Sequence, residues 1–64
     1  MEWEQVAFLQ WRAIVKEGEF TVWKDGRKWK GKYRSISGLY TCFFEEQKSL
    51  RAIKKVCERS KHWA

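Results

Sequence analysis

The chain has 64 residues, of which 44% are hydrophobic and 34% charged, and its net charge is +6. This length leaves room for one small domain, residues 1–64, that buries only about 60% of its unfolded surface. Five Trp, four Phe and two Tyr, without any proline, argue against a long disordered chain and predict a core held together by aromatic packing.

The sequence shows no sign of membrane insertion or export. No apolar run approaches the roughly 18 residues of a membrane span, and Met1 is followed by acidic residues instead of a signal peptide's basic start. We therefore expect a cytoplasmic protein whose two cysteines, Cys42 and Cys57, stay reduced. We predict that both pack as small core residues, and a disulfide or half of a metal site is the alternative.

The charges are unevenly distributed. Residues 1–19 hold four acidic and two basic residues, whereas residues 20–44 hold six basic residues and one aspartate. Residues 45–64 add six basic and three acidic residues. Such asymmetry predicts an anionic partner, which is nucleic acid, an acidic protein or, with less support, an anionic membrane surface.

Residues 3–16 are predicted to form a first helix. Apolar residues recur at a spacing close to that of a helix, at Trp3, Ala7, Trp11 and Ile14. Gly18 follows as a left-handed helix stop. The alternative is a strand over part of this segment, because apolar residues also alternate at Ala7, Leu9, Trp11, Ala13 and Val15.

Residues 20–34 predict a β-hairpin, because Asp25-Gly26 lies between two alternating runs. A loop at these two residues would place Trp23 opposite Lys28. Since side chains alternate along a strand, one face should be apolar, with Phe20, Val22, Trp29 and Tyr33. The other face should carry Thr21, Trp23, Lys28, Lys30, Lys32 and Arg34.

A third strand is predicted from Leu39 to Phe44. With Arg34 opposite Leu39, Cys42 joins the apolar face and Phe43 the lysine face, and a slip of one residue would exchange the two sets.

Residues 45–61 predict a second helix with one apolar stripe, Leu50, Ile53, Val56, Cys57 and Ser60. The predicted fold class is therefore α+β in the order α-β-β-β-α, a three-stranded antiparallel sheet with two helices on its apolar face.

The cationic hairpin face is the first candidate site. Alternate residues of a strand lie roughly 6–7 Å apart, so several can meet the phosphates of one nucleic-acid strand. We predict that this protein is a non-enzymatic DNA- or RNA-binding domain. The predicted contacts are Trp23, Lys28, Lys30, Lys32 and Arg34, extended by Lys48, Arg51 and Lys55 of the second helix. A solvated lysine face that prevents aggregation is the alternative.

The first helix offers a different candidate, a protein interface formed by Trp3, Phe8 and Trp11. This surface suits a homodimer or a target protein. The alternative function is thus a small phage-type inhibitor or adaptor that binds a host protein through this helix and the basic surface.

Catalysis and metal binding have little support. His62 is the sole histidine and lies near the end of the sequence, so the residues do not indicate a catalytic triad. Cys42, Cys57 and His62 lack zinc-like spacing. We predict no enzyme activity, no metal and no cofactor.

The predicted order of elements resembles the double-stranded RNA-binding domain. In that family, lysines at the start of the second helix meet phosphates across a groove. The corresponding segment here is Phe44-Glu45-Glu46-Gln47-Lys48, where only Lys48 has that character. A three-stranded sheet followed by a helix is also similar to small DNA-binding domains of phage-type integrases and some plant transcription factors, which insert the sheet into the major groove. Both resemblances rest on element order and imply a nucleic-acid ligand.

Overall fold

The computed structural model describes residues 1–60, which form five strands and one helix. These are β1 (Glu4–Ala7), β2 (Gln10–Val15), β3 (Gly18–Asp25), β4 (Lys28–Ser35), β5 (Thr41–Phe43) and α1 (Leu50–Glu58). The strands form one antiparallel sheet in the order β1-β2-β3-β4-β5, so each strand pairs with the next along the chain. The predicted three-stranded sheet with two helices is therefore wrong.

The largest error concerns the predicted first helix, because residues 4–15 form the β1–β2 hairpin. Its turn lies at Phe8 and Leu9, and Leu9 adopts a left-handed backbone with a φ of 58°. That conformation favours Gly, Asn or Asp. The turn contains none of these residues, so it carried no recognisable sequence signal.

The strand alternative for this segment is correct, and packing explains why. On β2, Trp11 pairs with Val22 of β3, and Ala13 pairs with Phe20. Alternation thus places the apolar side chains of β2 beside those of β3 on one side of the sheet, where Ala13 is buried. A helix over the same residues would lose this shared surface.

The β3–β4 hairpin is confirmed, but its register differs from the predicted one. Asp25 pairs with Lys28, so the two turn residues are Gly26 and Arg27, and Trp23 pairs with Lys30. Gly26 has a φ of 65° at the first central position, as in a type II′ turn. The pairing moves by two residues, and an even shift leaves every side chain on its predicted face.

The third predicted strand shows the same even shift. Arg34 pairs with Thr41 instead of Leu39, and Lys32 pairs with Phe43. Cys42 therefore lies on the apolar side and Phe43 on the lysine side, as predicted.

One side of the sheet is covered by α1, and the buried core lies between them. The buried hydrophobic residues are Ala13, Phe20, Val22, Trp29, Tyr33, Ile53 and Cys57. The Phe20 ring lies 5.1 Å from that of Tyr33 and 6.0 Å from that of Phe44, measured between centroids. A Cβ atom on Gly31 would lie 3.0 Å from Cγ1 of Ile53, so this glycine allows the helix to approach β4 closely.

The helix is shorter than the predicted span of residues 45–61. Ser49 caps it, with its Oγ accepting a hydrogen bond of 3.1 Å from the backbone N–H of Ala52. The predicted start is wrong because Gln47 forms two backbone hydrogen bonds with Trp29, of 2.8 and 2.9 Å, in an isolated β-bridge. Residues 61–64, including His62, lie outside the described residues.

The corrected order also changes the resemblances. A chain that begins with a β-hairpin and forms five consecutive strands lacks the αβββα order that linked it to double-stranded RNA-binding domains. Its sheet is likewise broader than the three-stranded sheets of the integrase-type domains. Element order therefore no longer supports either resemblance.

Candidate nucleic-acid interface

The side of the sheet opposite α1 is uncovered within residues 1–60, and we call it the open face. Alternation arranges its side chains in rows that cross the strands. The central row consists of Glu4, Arg12, Thr21, Lys32 and Phe43. The flanking rows are Gln10, Trp23 and Lys30 on one side, and Ile14, Glu19, Arg34 and Thr41 on the other.

All five site residues predicted on the hairpin lie on the open face. The four cations follow one another along β4 at alternate positions, Lys28, Lys30, Lys32 and Arg34. Lys28 and Arg34 are exposed, whereas Lys30 and Lys32 are half-buried. Because alternate residues of a strand point the same way, the Cα atoms that carry these side chains lie roughly 6–7 Å apart.

Two aromatic side chains lie among these cations. Trp23 is half-buried on β3, and Nζ of Lys32 lies 5.9 Å from its ring centroid, within the range of a cation–π interaction. Phe43 on β5 is 69% exposed and is the cross-strand neighbour of Lys32. The open face therefore presents aromatic surface on both sides of β4.

The cations of the open face differ in their partners. Nζ of Lys30 lies 2.9 Å from Oδ2 of Asp25, in an ion pair. The hydrogen bond and the charge of Asp25, followed by the charge of Glu46, raise the pKa of Lys30. Lys28, Lys32 and Arg34 form no ion pair with any carboxylate of residues 1–60. These three cations are the ones left to neutralise an external anion.

The open face has a different charge around Arg12 of β2. Arg12 lies between two carboxylates, with its Nη2 2.9 Å from Oε1 of Glu4 on β1 and its Nη1 3.8 Å from Oε2 of Glu19 at the start of β3. The two acids outnumber the one cation there. The open face is thus divided into an acidic patch of Glu4, Arg12 and Glu19 and a cationic, aromatic part on the rest of β3 and on β4 and β5.

The three site residues predicted beyond the hairpin lie elsewhere. Arg51 and Lys55 are exposed on α1, on the helix surface opposite the buried Ile53 and Cys57. Lys48 is exposed just before the helix cap. Since α1 covers the other side of the sheet, its outer cations point away from the open face. The structure does not combine the two basic sets into one footprint.

The predicted aromatic interface of Trp3, Phe8 and Trp11 is also divided, because the helix expected to carry it is absent. Nζ of Lys54 lies 4.1 Å from the Trp11 ring centroid and 5.6 Å from that of Trp3. Trp3 also donates a hydrogen bond of 3.3 Å from its Nε1 to Glu58. These two tryptophans therefore attach β2 and the N-terminal segment to α1. Phe8 lies at the β1–β2 turn and is 88% exposed.

Sequence reasoning missed several residues that shape the open face. Arg12, Glu4 and Glu19 were assigned to a helix or to its end, and only a strand over residues 10–15 would have placed Arg12 in the same row as Lys32, with Thr21 between them. The effect of Asp25 on Lys30 was also missed. The sequence did indicate this ion pair, because Asp25 stands at the end of the predicted hairpin, where a carboxylate can reach a lysine on the partner strand.

Other chemistry has weak structural support within the described residues. Burial, and secondarily the charge of Glu58, raises the pKa of the Cys57 thiol to about 12, which makes it a poor nucleophile. Residues 1–60 contain no group of three or more His, Cys, Asp or Glu side chains placed to hold a metal ion. Nor does any helix in this range have the length and apolar character needed to cross a bilayer.

Comparison with known proteins adds no family to this description. The chain matches no protein-family model, no curated protein and no solved structure.

Proposed function

We propose that the protein binds nucleic acid, without catalysing a reaction, through the β3–β5 part of the open face. The observation that carries this proposal is the position of Lys28, Lys32 and Arg34 beside Trp23 and Phe43, on the one side of the sheet that α1 leaves uncovered. Cations neutralise phosphates, and aromatic rings stack on bases. The free thiols of Cys42 and Cys57 agree with a cytoplasmic location.

The spacing of the cations supports a phosphate backbone as the ligand. Side chains at alternate positions of β4 start roughly 6–7 Å apart. A nucleic-acid strand that lies along β4 therefore meets several of these cations. Each phosphate contact releases counterions, so the affinity should fall steeply with salt concentration. We leave Lys48, Arg51 and Lys55 outside this contact, because α1 lies on the other side of the sheet.

The test compares two double variants with the same change in charge. K28E/K32E alters the open face, and R51E/K55E alters the outer surface of α1. Fluorescence anisotropy with labelled single- and double-stranded DNA and RNA, at two salt concentrations, measures binding. We expect K28E/K32E to lose roughly tenfold or more in affinity and R51E/K55E to lose much less.

Two results would contradict the proposal. Equal losses in both variants would mean that net charge alone, and not the open face, drives binding. Failure of the unmodified protein to bind any of the four nucleic acids at low salt would remove nucleic acid as the ligand.

An acidic protein is the second candidate, because carboxylates are attracted to the same cations. The exposed side chains of Phe8 and Phe43 favour it, since bulky apolar groups in solvent are common at protein interfaces. Affinity capture from a nuclease-treated lysate distinguishes the two. One stoichiometric protein that is lost with K28E/K32E supports this candidate, whereas loss of all bound material supports nucleic acid.

A further inference from the structure

Building on the proposed function, we infer that the ligand is single-stranded nucleic acid, with bases stacked on Trp23 and Phe43 and the intervening backbone held at Lys32. Trp23 on β3 and Phe43 on β5 lie on the same face with β4 between them. Phe43 lies two strands away from Trp23 and two residues further along the strand direction. Together these displacements put the two positions about 12 Å apart. An extended strand bridges such a distance within a few nucleotides.

Stacking on side chains requires bases that are not already stacked on each other. In a duplex, both surfaces of every base are covered by its neighbours, and only the edges are open to a protein. In a single strand, the bases can be splayed and placed on aromatic rings. Trp23 and Phe43 are therefore suited to unpaired bases.

The width of the sheet argues against insertion into a duplex. Five strands at about 4.8 Å spacing span about 19 Å, and the protein measures 31 × 21 × 20 Å along its principal axes. The major groove of B-DNA is about 12 Å wide and admits a helix or a two-stranded ribbon. The open face is too broad to enter the groove, so it suits a single nucleic-acid strand whose backbone lies along β4, with bases directed to Trp23 on one side and Phe43 on the other.

The acidic patch of the open face limits the length of the bound nucleic-acid strand. Glu4 of β1 and Glu19 at the start of β3 surround Arg12, where a phosphate would meet more negative than positive charge. Ile14 is 69% exposed beside them and offers no hydrogen bond. The bound strand is thus confined to β4, β5 and the part of β3 that carries Trp23, and we expect affinity to stop rising with length beyond a short oligonucleotide.

The contacts within the open face rank the cations. The charge of Lys30 is already balanced by Asp25 at 2.9 Å, whereas the ammonium group of Lys32 lies over the Trp23 ring. A base that stacks on Trp23 replaces this ammonium, which then meets the adjacent phosphate. Lys32 should therefore contribute more to binding than Lys30, and removal of the Asp25 charge should release Lys30 for the ligand.

The first experiment tests the strandedness of the ligand. Quenching of tryptophan fluorescence and anisotropy are measured with dT12, rU12 and a 12-base-pair DNA duplex. We expect dT12 or rU12 to bind about tenfold or more tightly than the duplex, and F43A to weaken single-strand binding by about 5- to 100-fold. F43Y keeps an aromatic ring and should retain the affinity, and thermal melting shows whether each variant is folded.

The outcomes separate this inference from the proposed function. Duplex binding as tight as that of dT12 and rU12, or an unchanged affinity in folded F43A, overturns the single-strand inference but leaves nucleic-acid binding in place. Absence of binding to all three probes overturns the single-strand inference, and absence of binding to an RNA duplex as well overturns the proposed function. A preference between dT12 and rU12 identifies DNA or RNA, and either preference supports the inference.

The second experiment tests the ranking of the cations. K32A should weaken binding of the preferred oligonucleotide several-fold more than K30A, and D25N should strengthen it. R51A, on the outer surface of α1, is the matched control and should change the affinity little. An equal loss in K30A and K32A, or weaker binding by D25N, would overturn the assignment.

Discussion

The two sides of the sheet are built from the same strands, yet their side chains have different environments. On the helix side, Phe20 and Val22 are fully buried against α1. On the open face, Trp23 and Lys32 remain partly accessible to solvent. Alternation has thus separated the side chains that stabilise the core from those of the proposed binding surface. A substitution on one side should therefore leave the property of the other side nearly unchanged.

The largest effect expected concerns two phenylalanines on opposite sides. F20A should lower the free energy of unfolding by about 3–5 kcal/mol, because it leaves a cavity in the core. F43A should lower it by less than about 1 kcal/mol, since the Phe43 side chain is 69% exposed. Urea denaturation measures both values, and similar losses would break the separation of the two sides.

The next effect tests how closely the helix lies against the sheet. G31A should destabilise the protein by about 1–3 kcal/mol, because the added carbon would lie only 3.0–3.3 Å from side-chain atoms of Ile53 on α1 and Val22 on β3, which would have to move in a packed core. The neighbouring atoms include Cδ1 of Ile53, at 3.2 Å from the added carbon. Since I53V removes this atom, the double variant G31A/I53V should lose less than the sum of the single losses. Additive losses would contradict this packing.

The two cysteines both lie on the helix side of the sheet but differ in burial, and chemical labelling can measure this difference. Cys57 is fully buried on the inner face of α1, and its thiol has a pKa raised from 9.0 to about 12, whereas Cys42 is only half-buried. A thiol reagent should label Cys42 in the folded protein and reach Cys57 only after unfolding. Equal labelling rates would indicate that the helix does not protect the core.

The same thiol makes stability depend on pH. The Cys57 thiol ionises at a lower pH in the unfolded chain than in the folded protein. Its contribution to the free energy of unfolding is therefore fully present below about pH 9 and is lost as the pH rises towards 12. Unfolding of the unmodified protein should therefore become easier over this range more steeply than that of C57A. Parallel pH profiles would contradict the effect of burial on the pKa.

The smallest effect concerns the helix cap. S49A removes the hydrogen bond to the backbone of Ala52 and should cost about 1 kcal/mol of stability. S49D retains an acceptor and serves as the control. Neither variant should alter nucleic-acid affinity, because the cap lies on the side of the sheet opposite the open face. A change in affinity would connect the two surfaces.

The sequence predicted which face of the sheet each side chain occupies, because an error in strand register changes the face only when the register is shifted by an odd number of residues. Both predicted registers were wrong by two residues, at Lys28 and at Thr41, and neither shift changed a face. The core residues Phe20 and Ile53 were identified for the same reason, since periodicity alone placed them.

The remaining features depended on information that is not local. The turn at Leu9 lacks a turn residue, so the first hairpin depended on the pairing of β2 with β3. Glu45 and Glu46 resembled the acidic first turn of a helix, but Gln47 bonds to Trp29 instead. The second helix is predicted on the apolar side of the sheet, so Arg51 had to lie on the side opposite the hairpin lysines. The predicted nucleic-acid site nevertheless combined Arg51 with those lysines.

The position of the helix in the chain order affects how the core is closed. The five strands of the described residues all precede α1, and Ile53 and Cys57 of this one helix supply the other side of the core. Whenever α1 is detached from the sheet, Phe20, Val22 and Trp29 lose their cover, and the exposed apolar surface is prone to association. Docking of a single helix therefore protects the protein from aggregation.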